Sequence, residues 1–136
     1  MVPYKIDLHI HTALSPCAAT EMTPPKILHA ARAKGLKIIA VTDHNSAENA
    51  AAVMEAAKGS GIYVIPGMEL QTREEVHLVC LFPNLDLTLA WQEEVYRSLP
   101  AKDNVPQIFG NQMVMDSSGQ IIREVSRLLL VSTGMT

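Results

Sequence analysis

Four histidines and a glutamate stand where short apolar runs begin or end, and their types and spacing suit the holding of divalent metal ions. His9 and His11, in the run Asp7-Leu8-His9-Ile10-His11, are two residues apart. On an extended strand such a pair projects to one side, so both imidazoles can bind one ion without bending the backbone. Alone, the pair is equally what two half-buried strand histidines with ordinary hydrogen bonds look like. The rest of the chain shifts that balance. Asp43 and His44 close a second apolar run, Glu69 follows a third and His77 lies on a fourth, so imidazole and carboxylate donors arrive from four separate segments. A carboxylate among imidazoles can bridge two ions, and paired ions polarise a phosphoryl oxygen while lowering the pKa of a water for in-line attack. That chemistry is phosphate-ester hydrolysis, and it requires no serine or cysteine nucleophile.

The neighbouring polar residues divide into helpers and bystanders. Asp7 shares the strand side of His9 and is read as orienting a ligand imidazole, with a plain strand-end hydrogen bond as the alternative. Asp43 can stand beside the ligands, cap a following helix, or do both. His29 falls inside a helical stretch and is a solvated or packing histidine. Glu74 and Glu75 form a solvated turn beside His77. The chain has neither a dinucleotide-binding glycine fingerprint nor a phosphate-binding loop with Gly-Lys-Ser/Thr, and Gly59-Ser60-Gly61 precedes a strand rather than a helix.

Short alternating elements must position these side chains. Residues 4–10 alternate, with Tyr4, Ile6, Leu8 and Ile10 on one side and Lys5, Asp7, His9 and His11 on the other, the period of a strand. Thr23 followed by Pro24 reads as a helix start, and Ile27, Leu28 and Ala31 give an apolar stripe ending at Gly35, which predicts a helix over about 24–34. Residues 36–42 are almost continuously apolar, as in a parallel strand covered on both faces. An alanine-rich helix follows, capped by Asn45 or Ser46 and ended by Gly59 and Gly61. Residues 62–65 are a third strand leading through Pro66 and Gly67 to Glu69, and residues 75–82 a fourth. This order predicts an α/β fold of parallel strands with right-handed crossover helices, its polar clusters at the carboxyl ends where ligands collect. Beyond Pro83 the pattern weakens: a helix over 87–99, a hairpin over 113–122 turning at 116–119, and a strand over 128–132.

Asp7-Leu8-His9-Ile10-His11-Thr12, the segment from Gly35-Leu36 to Val41-Thr42-Asp43-His44-Asn45, and Pro66-Gly67-Met68-Glu69 with Glu75-Val76-His77-Leu78 together resemble the first motifs of the PHP superfamily, the polymerase and histidinol phosphatase domains. The resemblance covers residues 4–82 closely. It implies a distorted seven-stranded (β/α)7 barrel carrying up to three ions of zinc, manganese or iron, and hydrolysis of phosphomonoesters or phosphodiesters. It implies that His9 and His11 bind one ion, Glu69 bridges two, His77 binds the second and His44 the third, with Asp43 adjacent. Many members carry an acidic residue or histidine shortly after the first motif, where this chain reads Ser15-Pro16-Cys17. Cys17 or Glu21 are the substitutes at hand; a loop cysteine and a helix-entry glutamate are the simpler readings. The late histidine and final Asp-x-His of the family have no counterpart after residue 82.

A complete barrel of this kind takes on the order of 200 residues or more, so residues 1–136 are expected to form a single domain that is the amino-terminal part of a longer barrel, incomplete at its carboxyl end and weak or inactive by itself. An open barrel edge favours self-association. The 48% hydrophobic and 18% charged composition is that of a globular chain, and the 4% aromatic share leaves the core to aliphatic side chains. With 11 Lys plus Arg and a net charge of -3 there is no basic stripe for duplex nucleic acid. A small phosphorylated substrate or an oligonucleotide end remains the expected partner. No signal peptide or apolar run of membrane-spanning length is seen, so the chain is expected to be cytoplasmic and its two cysteines free thiols. Two other classes compete: a non-catalytic interaction module on the same scaffold, and an amidohydrolase-like C–N hydrolase. The first strand's His-x-His suits the latter, but that superfamily commonly uses a metal-bridging lysine, and no lysine here sits in such a position.

Overall fold

Four short runs build one curled sheet in the computed structural model, which describes residues 3–136. They are β1 (Lys5–Ile10), β2 (Leu36–Val41), β3 (Tyr63–Gln71) and β4 (His77–Leu81), hydrogen-bonded in that order, with β1, β2 and β3 parallel. Helix α1 (Pro24–Ala33) and helix α2 (Ala50–Ala56) supply the two crossovers. Pro24 opens α1 as its spacing requires, although Thr23 caps it through its carbonyl to Ile27 N–H at 2.9 Å rather than through its hydroxyl. The result is a mixed α/β half-barrel, the coarse form of the expected architecture.

Alternation along the strands decides which face meets the helices. Ile39, Val41, Val64 and Ile62 pack with Ile27, Leu28 and Ala31 of α1 and Val53 of α2 in an aliphatic cluster, where burying each large side chain contributes roughly 2 kcal/mol. Pairing of Ile38 with Tyr63, Ala40 with Ile65, Gly67 with Leu81 and Glu69 with Val79 assigns the opposite, concave face. No helix covers that face among the described residues, and Tyr63, Val79 and Leu81 are exposed on it. Gly67 sits where β3 crosses close to its neighbours: a Cβ there would meet Cys80 O at 2.6 Å and Thr42 Cγ2 at 3.1 Å.

Three expectations need correction. The fourth strand is antiparallel to β3, not another parallel strand, because residues 72–76 are too few for a crossover and instead close a hairpin, with Thr72 N–H bonded to Val76 O at 2.9 Å. The second helix starts at Ala50 behind Asn49, so Asn45 and Ser46 do not cap it; residues 45–49 form an irregular bend, with Asn45 at φ 49°. Residues 128–132 form no strand.

The carboxyl-terminal third adds helix α3 (Leu85–Ser98), the short α4 (Pro106–Phe109), and a hairpin of β5 (Met113–Met115) and β6 (Ile121–Glu124). Asn84 caps α3 by accepting from Leu87 N–H at 2.9 Å. Val95 of α3, Leu99 just after it, Val114, Val125 and Leu129 pack with Leu14, Met68 and Leu70 in a second cluster behind the carboxyl ends of the strands. Three buried carboxamides fasten this segment: Asn45 donates to Leu129 O and Val131 O, Asn49 to Met113 O, and Gln112 to Val125 O and Arg127 O, each at 2.7–2.9 Å. No helix among the described residues is long and apolar enough to cross a membrane, and both cysteines are free.

Candidate metal centre

The concave face brings the four histidines onto Glu69. Beyond the end of β2 the main-chain ladder continues, Glu69 N–H to Asp43 O at 3.0 Å and Asn45 N–H to Glu69 O at 2.9 Å, which sets His44 beside Glu69. His9 and His11 come from β1 and the residue after it, and His77 from the first residue of β4, one step across the hairpin. Glu69 Oε2 lies 3.0 Å from His9 Nε2, 2.8 Å from His11 Nε2 and 3.4 Å from His44 Nδ1; its Oε1 lies 2.9 Å from His77 Nδ1. The two carboxylate oxygens therefore serve different partners.

Such a set fits a bound divalent ion on its own geometry. His9 Nε2 and His11 Nε2 are 3.1 Å apart, so with Glu69 Oε2 they form a triangle whose sides are close to the ~3.0–3.4 Å ligand separations of an ion with donors about 2.1 Å away. His44 is buried and its Nδ1, although 3.4 Å from Glu69 Oε2, makes no hydrogen bond, an unsatisfied nitrogen that an ion shared with the carboxylate would satisfy. Among the described residues the groupings whose donors lie mutually within 4.8 Å are His9 with His11 and Glu69; His44 with Glu69 and His77; and His11 with Cys17 and His44. His44 thus stands in two groupings rather than one.

Asp7 is exposed, accepts from His9 N–H at 3.2 Å, and joins no grouping. It does line a shallow cleft of about 430 Å³ with His9, His11, Cys17 and Met22. Asp43 is fully buried and its hydrogen bonds go to the loop after β1 rather than to a ligand side chain. It accepts from Thr12 N–H, Thr12 Oγ1 and Ser15 Oγ, all at 2.7 Å, and Ser15 Oγ in turn accepts from His44 N–H at 3.1 Å. Its work is to tie the loop after β1 to the end of β2. Glu21 is exposed in the turn before α1 and outside all three groupings, and His29 is exposed on α1. Sequence reasoning misses these roles of Thr12, Ser15, Asn49 and Gln112 and reads Asn45 only as a helix cap. For Asn45 and Asn49 a signal exists in the polarity of residues 42–49, a stretch that is buried almost throughout.

Charge in the cluster is strongly shifted. Burial, reinforced by the neighbouring His11, lowers His44 from 6.5 to about 4. Burial raises Glu69, but hydrogen bonds from His9 and His77 and the charges of His44 and His9 outweigh it and hold the carboxyl at about 2. Burial raises Asp43, opposed by Ser15 and Thr12. Partial burial at the sulfur likewise raises the Cys17 thiol. His44 and Glu69 both bind protons more weakly folded than unfolded. Their contribution to stability is present above the unfolded values and is lost as pH falls, for His44 between 6.5 and about 4, for Glu69 below that to about 2. The urea midpoint of the chelator-treated chain is therefore expected to drop steeply from pH 7 to pH 4, with His44 accounting for at most about 3 kcal/mol. His44→Gln should flatten that part of the profile; an unchanged slope would remove His44 as its cause.

The PHP domain profile matches residues 7–127. The chain belongs to the PHP family. It is 34% identical to an uncharacterized protein of Methanocaldococcus jannaschii over 61% of this chain and 53% of that protein. It is also 34% identical to a Haemophilus influenzae 5'-3' exoribonuclease over 62% of this chain and 30% of that enzyme. A solved amidohydrolase from Chromobacterium violaceum, with bound sulfate and no metal, superposes with a TM-score of 0.55 at 28% identity, covering 69% of this chain and 34% of that one. The chain thus spans about half the length of the first relative and a third or less of the second. The PHP match runs through both β5 and β6, beyond the motifs at residues 4–82.

Proposed function

We propose that this PHP chain is the metal-bearing amino-terminal part of a phosphate-ester hydrolase, on a (β/α)7 barrel whose remaining strands are not among residues 1–136. The observation that carries the reading is the split of Glu69, with one oxygen on His77 and the other on His9, His11 and His44, as a carboxylate bridging two ions requires. His9, His11 and Glu69 would hold one ion, Glu69 and His77 a second, and His44 a third; zinc, manganese and iron all suit imidazole and carboxylate donors. A bound divalent ion supplies Lewis acidity toward a phosphoryl oxygen and a lowered pKa for its water. The chain's own residues orient and hold. Asp43 fixes the loop carrying His11, and Asp7 braces His9 through its main chain. Tyr63, Val79 and Leu81 leave an apolar face for further strands or a second copy to cover. Similarity to an exoribonuclease supports an oligonucleotide end or another small phosphorylated molecule as substrate.

The amidohydrolase likeness favours a second reading, C–N cleavage. The central position is taken, however, by Glu69, whose carboxylate oxygens face His9, His11, His44 and His77. Elemental analysis and hydrolysis assays on chain loaded with zinc or manganese separate the readings. A nitrophenyl phosphodiester or phosphomonoester should be cleaved, even if slowly, a matching anilide should not, and both metal and turnover should be lost in the His9→Ala, His11→Ala double variant. Anilide cleavage without ester cleavage, or no metal uptake at all, would overturn the proposal.

A further inference from the structure

Arg32 stands apart from the other arginines of the chain. Arg73, Arg97 and Arg123 each meet a carboxylate, of Glu74, Glu94 and Glu48 respectively, and Arg127 donates to the carbonyls of Tyr96, Leu99 and Pro100. Among the described residues Arg32 has neither kind of partner, although the chain carries a net charge of -3. It lies one turn from His29 on α1, and both side chains are exposed. With Ser60 and Ser117 they line a cleft of about 270 Å³, whose lining contains no carboxylate and shares no residue with the metal centre. The four polar groups come from three separate segments: α1, the turn after α2, and the tip of the β5–β6 hairpin.

Both hydroxyls are free to donate. Ser60 Oγ accepts from Ile62 N–H at 3.1 Å, which uses a lone pair and leaves its hydrogen available, and Ser117 Oγ has no partner among the described residues. The acidic groups nearest in sequence are committed elsewhere. Asp116 accepts from Ser118 N–H, Ser118 Oγ and Gln120 N–H at 2.9, 2.7 and 3.0 Å within its own turn, and Glu55 pairs with Lys58 Nζ at 2.5 Å. The cleft is also held in shape. Gly119 seats the hairpin tip so close to the start of α1 that an added Cβ would meet Thr23 Cβ at 3.2 Å and Pro25 Cδ at 3.4 Å.

We infer that this cleft binds a phosphate group, either the free ion or the head of a small phosphomonoester. The Arg32 guanidinium offers a fork of N–H donors to two phosphate oxygens, and the His29 ring and the two hydroxyls supply donors to the others. Donors arriving from three segments suit a tetrahedral oxyanion better than a planar carboxylate, whose acceptors lie in one plane. The inference is independent of the metal-bearing reading, and each can fail without the other.

The test uses the full chain after chelator treatment, so that no metal ion can hold phosphate. Nuclear magnetic resonance follows the His29 ring and Arg32 Nε–H signals while inorganic phosphate replaces chloride at constant ionic strength. Both should shift and saturate. Arg32→Gln should weaken binding about tenfold or more, the size expected for a hydrogen bond to a charged group. Ser117→Ala should weaken it less, and Arg97→Gln, an exposed arginine elsewhere, should leave it unchanged. A nucleoside 5'-monophosphate that saturates the same signals at lower concentration than phosphate, where the bare nucleoside does nothing, would identify a phosphomonoester as the ligand. Saturation by phosphate alone would identify the free ion. Shifts that never saturate, that are confined to the histidines of the metal centre, or that Arg97→Gln weakens as much as Arg32→Gln does would overturn the inference.

Discussion

A Glu69→Gln chain is expected to bind divalent metal more than about a hundredfold more weakly than the unaltered chain, the largest loss expected for any one side chain in the centre. Changing a group that merely supports a ligand typically weakens affinity 10- to 100-fold, and Glu69 is central to two of the three groupings. Glutamine keeps the size of the side chain but removes the negative charge. It also leaves an amide NH2 facing imidazoles that need their lone pairs for an ion. Competition titration against a chromophoric chelator reads the affinity, and circular dichroism checks that the fold persists. Affinity within threefold of the unaltered chain would mean that Glu69 is not a shared ligand, and the two-ion arrangement would fall with it.

The largest stability effect is expected at Asn45, which belongs to the family motif but has no place among the ligands. Its side chain donates to Leu129 O and Val131 O, both at 2.8 Å, and accepts from Gln71 N–H at 2.9 Å, all from a fully buried position. Alanine would strand these main-chain groups at a cost of about 3 kcal/mol or more. The φ of 49° adds roughly 1 kcal/mol, because asparagine tolerates the left-handed region better than alanine does. Asn45→Gly separates the two costs, removing the side-chain bonds while suiting the backbone. Urea denaturation should show both variants destabilised, alanine more so, with faster hydrogen exchange at the Gln71 amide. A loss under about 1 kcal/mol in Asn45→Ala would show that the Asn45 bonds contribute little to holding the 110–136 segment, leaving Asn49, Gln112 and apolar packing to do so.

The first 82 residues were largely legible because local pattern and local chemistry coincide there. Alternation in residues 4–10, the Thr23-Pro24 start and the continuous apolar run 36–42 each report the structure they form, and the polar residues at their ends are those gathered at the centre. Sequence expectations fail where local signals do not decide. Residues 75–82 read as a strand, but nothing in a strand's own pattern states whether its neighbour runs parallel; the brevity of 72–76 carried that information. Residues 128–132 are apolar like a strand, yet Leu129 O, Val131 O and Leu129 N–H are satisfied by the side chains of Asn45 and Gln112 rather than by a ladder.

By itself the sequence determined the chemistry available to this protein: imidazoles and a carboxylate at the ends of βαβ strands, since strand period and helix punctuation act over a few residues. Only the tertiary structure decided how those groups share partners. That Glu69 divides its oxygens between two sets of histidines, that Asp43 fastens a loop instead of bonding to a ligand side chain, and that Cys17 rather than Glu21 lies beside His11 and His44 all depend on contacts between residues tens of positions apart. Such contacts are fixed by packing and by the need to satisfy buried polar groups, and no local pattern records them.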